Sequence, residues 1–375
     1  MHQSLQNNTR LKTNEKERGE RMANDKIMMK GTEAMAEAAI RAGCKLYFGY
    51  PITPQSELPE YMSRRLPEID GTFLQAESEV AAVNMVYGAA CTGTRVMTST
   101  SSPGFSLMME GVSYIAGAEL PAVFINVVRG GPGLGDIQPA QSDYFQGTKG
   151  GGHGDYRLIC LAPSTLQEAV DHIGLAFDMA DKYRTPALII ADGMLGQMME
   201  PVTLPEFLNK DLKSVHEDWA LRGTNGREKH MVTSFDIDPV KLEKMNERYQ
   251  ATYQEIEKSE VRVEEYMMAD AEYAFVAYGT MARILKTTIK MAREEGIKVG
   301  LIRPITLWPF PYKTVGKAAE KCKFLMSVEM SAGQMLEDVR IGVNGKVPTP
   351  FYGRMGGMVP TPTEVLNALK KEMGV

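Results

Sequence analysis

Short apolar runs alternate with amphipathic stretches along most of this chain. Thr32 is placed to cap a helix whose Ala-rich body, 33–41, stops at Gly43. Leu46-Tyr47-Phe48-Gly49-Tyr50 reads as a short buried strand that runs out at Pro51-Ile52-Thr53-Pro54. The pattern then predicts helices over 57–66, 79–91 and 105–116, and strands over 72–75, 95–100 and 122–128. Beyond a Gly-rich loop, a strand near 158–161 leads to Ser164 and Gln167, which read as a capping box. The helix they open carries Leu166, Val170, Ile173 and Phe177 on one face. A buried strand follows at 187–191. Continuously apolar strands separated by helices imply a parallel sheet covered on both faces.

Near Glu200-Pro201 the alternation stops. Gly223, Asn225 and Gly226 mark a turn, and Pro239 opens a charged helix with Leu242, Met245, Tyr249, Tyr253 and Ile256 at helical spacing. That stripe reads as a seam laid on the body or on a partner subunit. From Tyr273 the alternation returns, with strands at 274–278, 299–302 and 324–329 and helices at 282–294, 312–320 and 335–341. The expected fold class is α/β, with two doubly wound parallel-sheet domains at 28–200 and 270–375, joined by a linker at 201–269 that carries the charged helix. Residues 1–27 read as a disordered tail, or the natural start lies at Met22. They have no apolar core of a signal peptide, and Glu15, Glu17 and Glu20 argue against a transit peptide.

Composition narrows the function classes. Lys and Arg number 42 against 47 Asp and Glu, a net charge of −5 that argues against a nucleic-acid footprint or a polybasic membrane surface. No apolar run approaches the roughly 20 residues needed to span a bilayer. The four cysteines (Cys44, Cys91, Cys160, Cys322) are far apart with no CxxC, so neither a disulfide framework nor a self-contained zinc or iron–sulfur site fits. A cytoplasmic location is expected. The 26 methionines read as flexible filler of cores and contact surfaces.

Gly130-Gly131-Pro132-Gly133-Leu134-Gly135-Asp136 follows a strand but lacks dinucleotide spacing, contains Pro132, and precedes no amphipathic helix. It reads as a backbone loop closing over some other ligand. No P-loop, HExxH or G-x-S-x-G occurs. Ser101-Ser102-Pro103-Gly104 lies between a strand and a helix, where capping is the simplest role for the serines. His153 sits in a glycine-rich loop able to present it to a ligand, whereas His172 lies among apolar neighbours on a helix and reads as structural. Three strand ends stand out. Thr53 follows one, Arg129 follows another, and Glu79 opens the helix after a third. Ligands of open parallel sheets bind outside such carboxyl ends. Arg129 offers a planar fork for a carboxylate. From spacing alone, Glu79 is either a functional acid or an ordinary first-turn acid that complements the helix dipole.

The strings YPITPQSEL, ESEVAAVNMVYGAA, TSTSSPGFSLMMEG and NVVRGGPGLG, in this order, resemble the alpha-type subunit of 2-oxoacid:ferredoxin oxidoreductases, closest to the branched-chain 2-oxoisovalerate members. The resemblance runs over 28–375, and only the N-terminal tail departs from it. It implies a thiamine-diphosphate pyrimidine-binding domain followed by a domain like the transketolase C-terminal one. It places Glu79 at N1′ of the aminopyrimidine, where proton sharing favours the imino tautomer. It places Thr53 beside the substrate's oxo-acid head and Arg129 at its carboxylate. Tyr50, Pro51 and Ile52 fall in the cofactor-binding strand end.

The diphosphate module of such enzymes carries GDG and a later Asn. Here the nearest string is Ala191-Asp192-Gly193-Met194, with no suitable asparagine after it. The resemblance therefore implies that thiamine diphosphate is shared with a diphosphate-binding beta-type subunit. Mg²⁺ and 4Fe-4S clusters would sit on partner chains, among them a gamma-type subunit and a ferredoxin-like cluster subunit. Ferredoxin, coenzyme A and a 2-oxoacid complete the expected partners. A pyruvate or 2-oxoglutarate enzyme would need similar Thr and Arg residues, and a non-redox enzyme of the same cofactor class would share Glu79. A noncatalytic scaffold that kept the fold is the reading from another class.

Overall fold

A computed structural model describes residues 26–208, 218–224 and 226–375. Residues 1–25, and with them the expected tail and Met22, lie outside the described residues, as does Asn225 of the expected turn.

The apolar runs of the first half assemble into a seven-stranded sheet. Its spatial order is Thr306–Trp308, Ile159–Leu161, Ala187–Asp192, Val123–Val128, Val96–Thr100, Leu46–Gly49 and Thr72–Gln75. All neighbours pair in parallel except Thr306–Trp308, an antiparallel edge strand delivered from the later part of the chain. The central strand Val123–Val128 is buried at every position, as a sheet covered on both faces requires. A second, five-stranded sheet has the order Phe351–Gly353, Leu325–Glu329, Tyr273–Val276, Val299–Pro304 and Val263–Tyr266, with only the last strand antiparallel.

Both architectures are mixed parallel-sheet α/β, as the alternation predicts. The stretch 201–269, expected as a linker, contributes the edge strand Val263–Tyr266 to the second sheet. A two-stranded antiparallel sheet of Ile27–Lys30 with Met199–Val202 was not expected, because its strands are far apart in sequence and carry no local turn signal.

Helix termini show where local chemistry decides. The helix Pro239–Ser259 starts at Asp238, whose carboxylate accepts from Val240 N at 3.0 Å, with Pro239 in the first turn. Tyr249, Tyr253 and Ile256 of its apolar stripe are buried, and the Tyr249 hydroxyl donates to Gly117 O at 2.6 Å. That seam lies on the chain's own body, while Leu242 is exposed. The capping box at 164–167 is displaced by one residue. Thr165 accepts from Glu168 N, and the Glu168 carboxylate takes the Ser164 N–H at 2.8 Å. The Glu168 carboxylate is also held by Arg303, a buried guanidinium that grips it with two bonds of 3.0 and 2.7 Å. The same guanidinium reaches Glu264, on the neighbouring strand of the second sheet, at 2.6 Å, and so ties the helix Leu166–Tyr183 to that sheet.

Candidate active site

The parallel strands of the large sheet end on one side, and the three singled-out residues follow three of those ends: Thr53 after Leu46–Gly49, Glu79 after the edge strand Thr72–Gln75 and Arg129 after the central Val123–Val128. Arg129 and Thr53 are in contact, whereas Glu79 lines neither of the cavities they border. Glu79 is the first residue of the helix Glu79–Ala90, whose N-cap Ser78 accepts from Ala81 N at 3.2 Å. This cap leaves the Glu79 carboxylate free of capping duty. The residue is 5% exposed, and its side chain makes no hydrogen bond or ion pair among the described residues. It lies against Gly104. A Cβ at Gly104 would stand 2.5 Å from Glu79 Oε1 and 2.1 Å from Thr100 Oγ1, so only glycine fits. The buried Thr100 and Ser101 hydroxyls are likewise without partners. Buried polar groups are nearly always paired, so two unpaired buried hydroxyls beside a carboxylate that no donor among the described residues reaches call for a ligand or a second chain.

Arg129 is the first residue past Val123–Val128 and is 7% exposed. Its Nη1 donates to Thr53 O at 2.9 Å and its Nη2 to Leu134 O at 3.0 Å, while Nε is buried with no partner. Two main-chain carbonyls thus fix the plane of the guanidinium and leave Nε a buried donor without a partner, a cation able to take a carboxylate. Arg129 lines a cavity of about 600 Å³ that reaches from Ser102 and the Gly130–Gly133 loop to Met330, Ser331 and Met355 of the second sheet's loops. The loop singled out as closing over a ligand forms one wall of it. Gly130 could carry no side chain, because a Cβ there would sit 2.5 Å from Asp136 Oδ1 and 2.8 Å from Gly357 N.

Thr53 meets Arg129 through its carbonyl only. Its exposed side chain lines a neighbouring cavity of about 580 Å³ with Pro54, Glu57, Gln138 and Met194. Tyr50 and Pro51 are exposed and Ile52 is half-buried at the end of their strand. His153 is exposed and lines neither cavity. His172 is buried, and burial pushes its imidazole down to about 4, which keeps it neutral. Asp192 caps the short helix Gly193–Gln197 by accepting from Met194 N and Leu195 N at 3.0 and 3.1 Å, and burial shifts its carboxyl upward. All four cysteines are buried and free, and burial raises the Cys44 thiol to about 12. Among the described residues, no group of three or more His, Cys, Asp or Glu side chains is placed to hold a metal ion. Among those residues, no helix is long and apolar enough to cross a membrane.

Sequence reasoning assigned the Ser102 side chain to helix capping, and the structure corrects this. Ser102 precedes the helix Pro103–Gly117 but makes no capping bond. Its hydroxyl donates to Asp143 Oδ2 at 2.6 Å instead. Asp143 went unnoticed for want of any motif. Asn126 did carry a signal, a lone amide inside an otherwise apolar strand.

The match to known proteins agrees with this architecture. Residues 37–268 match the family described as pyruvate flavodoxin/ferredoxin oxidoreductase, thiamine diphosphate-binding, and residues 271–365 match pyruvate:ferredoxin oxidoreductase core domain II. The chain belongs to this family. It is 49% identical over 92% of its length to ketoisovalerate oxidoreductase subunit VorB of Methanothermobacter marburgensis, 98% of which is covered. It is 34% identical to 2-oxoglutarate synthase subunit KorA of Methanothermobacter thermautotrophicus, covering 92% of this chain and 99% of that one. Among solved structures, 2-oxoglutarate:ferredoxin oxidoreductase from Magnetococcus marinus superposes with a TM-score of 0.82 at 26% identity, over 93% of this chain and 65% of that one. A split-gene transketolase with a TM-score of 0.58 and 12% identity shares the fold, over 92% of this chain and 98% of that one.

Proposed function

We propose that this chain is the pyrimidine-side subunit of a thiamine-diphosphate-dependent 2-oxoacid:ferredoxin oxidoreductase. The complex decarboxylates a branched-chain 2-oxoacid such as 2-oxoisovalerate to acyl-CoA and CO₂, and passes two electrons to ferredoxin. The observation that carries this reading is the Glu79 carboxylate, 5% exposed and without a partner among the described residues. Burial of a lone carboxylate is costly unless something arrives to pair with it. A ring nitrogen that shares a proton is such a partner, so the residues present fit the aminopyrimidine end of the cofactor.

Thiamine diphosphate, when bound, supplies the nucleophilic carbon and the electron sink for decarboxylation. Glu79 would hold a proton at N1′ and thereby tune the ring's exocyclic nitrogen as a base. Arg129 would hold the substrate carboxylate, with its orientation set by Thr53 O and Leu134 O. The Gly130–Gly133 backbone would wall the cavity against water. Tyr50, Pro51 and Ile52 would border the pyrimidine, and Thr53 the oxo-acid head. Asp192, in the string nearest to the diphosphate signature, has its carboxylate engaged in capping Gly193–Gln197. Metal, diphosphate and 4Fe-4S clusters would accordingly belong to beta-type, gamma-type and ferredoxin-like partner subunits.

For substrate, the cavity lining offers one guanidinium, the apolar side chains of Ala140, Met330, Ala332 and Met355, and the neutral polar groups of Ser142, Gln146, Ser331 and Gln334. With no second cation in that lining, an aliphatic tail suits it better than a second carboxylate does. The 49% identity to a ketoisovalerate subunit, against 34% to a 2-oxoglutarate subunit, supports the same choice. Two measurements on the assembled complex test the reading. Glu79→Gln should abolish 2-oxoacid oxidation and leave assembly intact, and near-normal turnover would end the catalytic assignment. For the wild type, kcat/KM should rank 2-oxoisovalerate above pyruvate and 2-oxoglutarate, and a preference for either of those two overturns the substrate assignment.

A further inference from the structure

The residue beside Arg129 in the cavity wall, Ser102, has a backbone that a serine does not favour. Its φ is 24° with ψ −81°, inside the region open to glycine and strained for residues with a Cβ. Such strain persists only where surrounding contacts hold it. Here they form a closed set. The Ser102 N–H donates to Asn126 Oδ1 at 2.8 Å, and Asn126 Nδ2 donates to Asp143 Oδ2 at 2.8 Å. The Ser102 hydroxyl donates to the same Asp143 oxygen at 2.6 Å, and it accepts the Arg129 N–H at 3.0 Å. Asn126 is fully buried, and Ser102 and Asp143 are each 8% exposed. Burial raises the Asp143 carboxyl while the Ser102 and Asn126 bonds oppose the rise. A glycine at 102 would relieve the backbone and keep the bond to Asn126, but would lose both bonds made by the hydroxyl.

We propose that Ser102 is a positioning residue for Arg129. Its hydroxyl, anchored by Asp143 and Asn126, pins the Arg129 main chain where the strand Val123–Val128 ends and so fixes where the guanidinium stands in the cavity wall. This rests on the reading that the Arg129 cavity receives the 2-oxoacid. Hydrogen-bonded networks in a low-dielectric interior restrict the side chains they hold, and small misplacements of a binding group weaken productive orientation. Asp143 uses only one carboxylate oxygen in the network, so an asparagine there can still accept from both donors through its amide oxygen.

The test uses the complete enzyme complex with Ser102→Gly. The melting temperature should stay level or rise, because strain is removed. The KM for 2-oxoisovalerate should rise about tenfold, on the order of one lost hydrogen bond, while the KM for coenzyme A stays put. Asp143→Ala should reproduce the shift in KM, and Asp143→Asn should produce a smaller one. An unchanged 2-oxoacid KM in Ser102→Gly, a melting temperature that falls together with both KM values deteriorating, or equal effects of the two Asp143 variants each overturn the proposal. Arg129→Ala separates the levels. If it leaves the 2-oxoacid KM unchanged, the assignment of the cavity falls as well, whereas an effect of Arg129→Ala without one of Ser102→Gly defeats the positioning role alone.

Discussion

Two buried glutamates stand at strand-to-helix junctions, one in each sheet of this molecule, and their surroundings differ in kind. Glu329 ends the strand Leu325–Glu329 and faces the start of the helix Gln334–Val343. Four donors converge on its carboxylate: the Ser327 and Ser331 hydroxyls at 2.9 and 2.7 Å, and the Met335 and Leu336 N–H groups at 3.0 and 2.9 Å. Burial pushes the pKa of its carboxyl up, and these bonds work against that rise. Glu79 begins its helix with the capping bond already made by Ser78, and no donor among the described residues reaches its carboxylate. One glutamate completes a helix terminus and is finished within the fold. The other is buried yet incomplete, which is the state expected of a group whose partner comes from outside. The second sheet thus reads as a stabilising unit, and the strand ends of the first as the working edge.

Exchanging the roles of these two residues is the sharpest way to break the contrast. Glu79→Gln should lower kcat of the assembled complex by about a thousandfold or more, as loss of an essential proton-holding group does. Its melting temperature should remain that of the wild type, since no intrachain bond is lost. Glu329→Ala should do the opposite. It leaves four donors facing an apolar void and should destabilise the chain by about 2–4 kcal/mol in denaturant unfolding. A Glu329 variant with native stability would remove the distinction.

Arg129→Ala tests the edge itself. It should raise the KM for the 2-oxoacid roughly 10- to 100-fold, through loss of a charge-assisted carboxylate contact, with a smaller effect on kcat.

The weakest effect is expected where the charged helix Pro239–Ser259 ends on the body. Burial works to raise the Glu260 carboxyl, but hydrogen bonds from Tyr183, Arg262 and Lys182 bring it down from an ordinary 4.5 to about 2. Between those values the unfolded chain binds more protons than the folded one, so the stability contributed is present above pH 4.5 and is lost as pH falls toward 2. Glu260→Gln should flatten the decline of melting temperature across that window. A slope identical to the wild type's would show that the cluster contributes nothing.

The legible part of the site was the part tied to strand ends. Thr53, Glu79 and Arg129 follow recognisable apolar runs, and the carboxyl-end rule for parallel sheets gathers them without any knowledge of packing. The rule could not say that Thr53 approaches Arg129 through its carbonyl and turns its side chain into the adjoining cavity. Ser102 was misread for a related reason. Serine before a helix is a cap by local statistics, and only Asp143, 41 residues away, makes it something else. The box at 164–167 slipped by one residue because Thr165 and Glu168 carry the same local signature one position on, and Arg303, far along the chain, also holds Glu168.

Periodicity of apolar positions is a short-range property, and it determined by itself the alternation of strands and helices, the covered parallel sheet and the return of the pattern after residue 270. The chain's motif strings, taken together, determined its family. Only the tertiary structure decided that the strand Thr306–Trp308 would close the first sheet, that Ile27–Lys30 would pair with Met199–Val202, and that no partner among the described residues would reach the Glu79 carboxylate. Each of these depends on which distant groups arrive at one point in space. A one-dimensional pattern carries no information about that until the chain has folded.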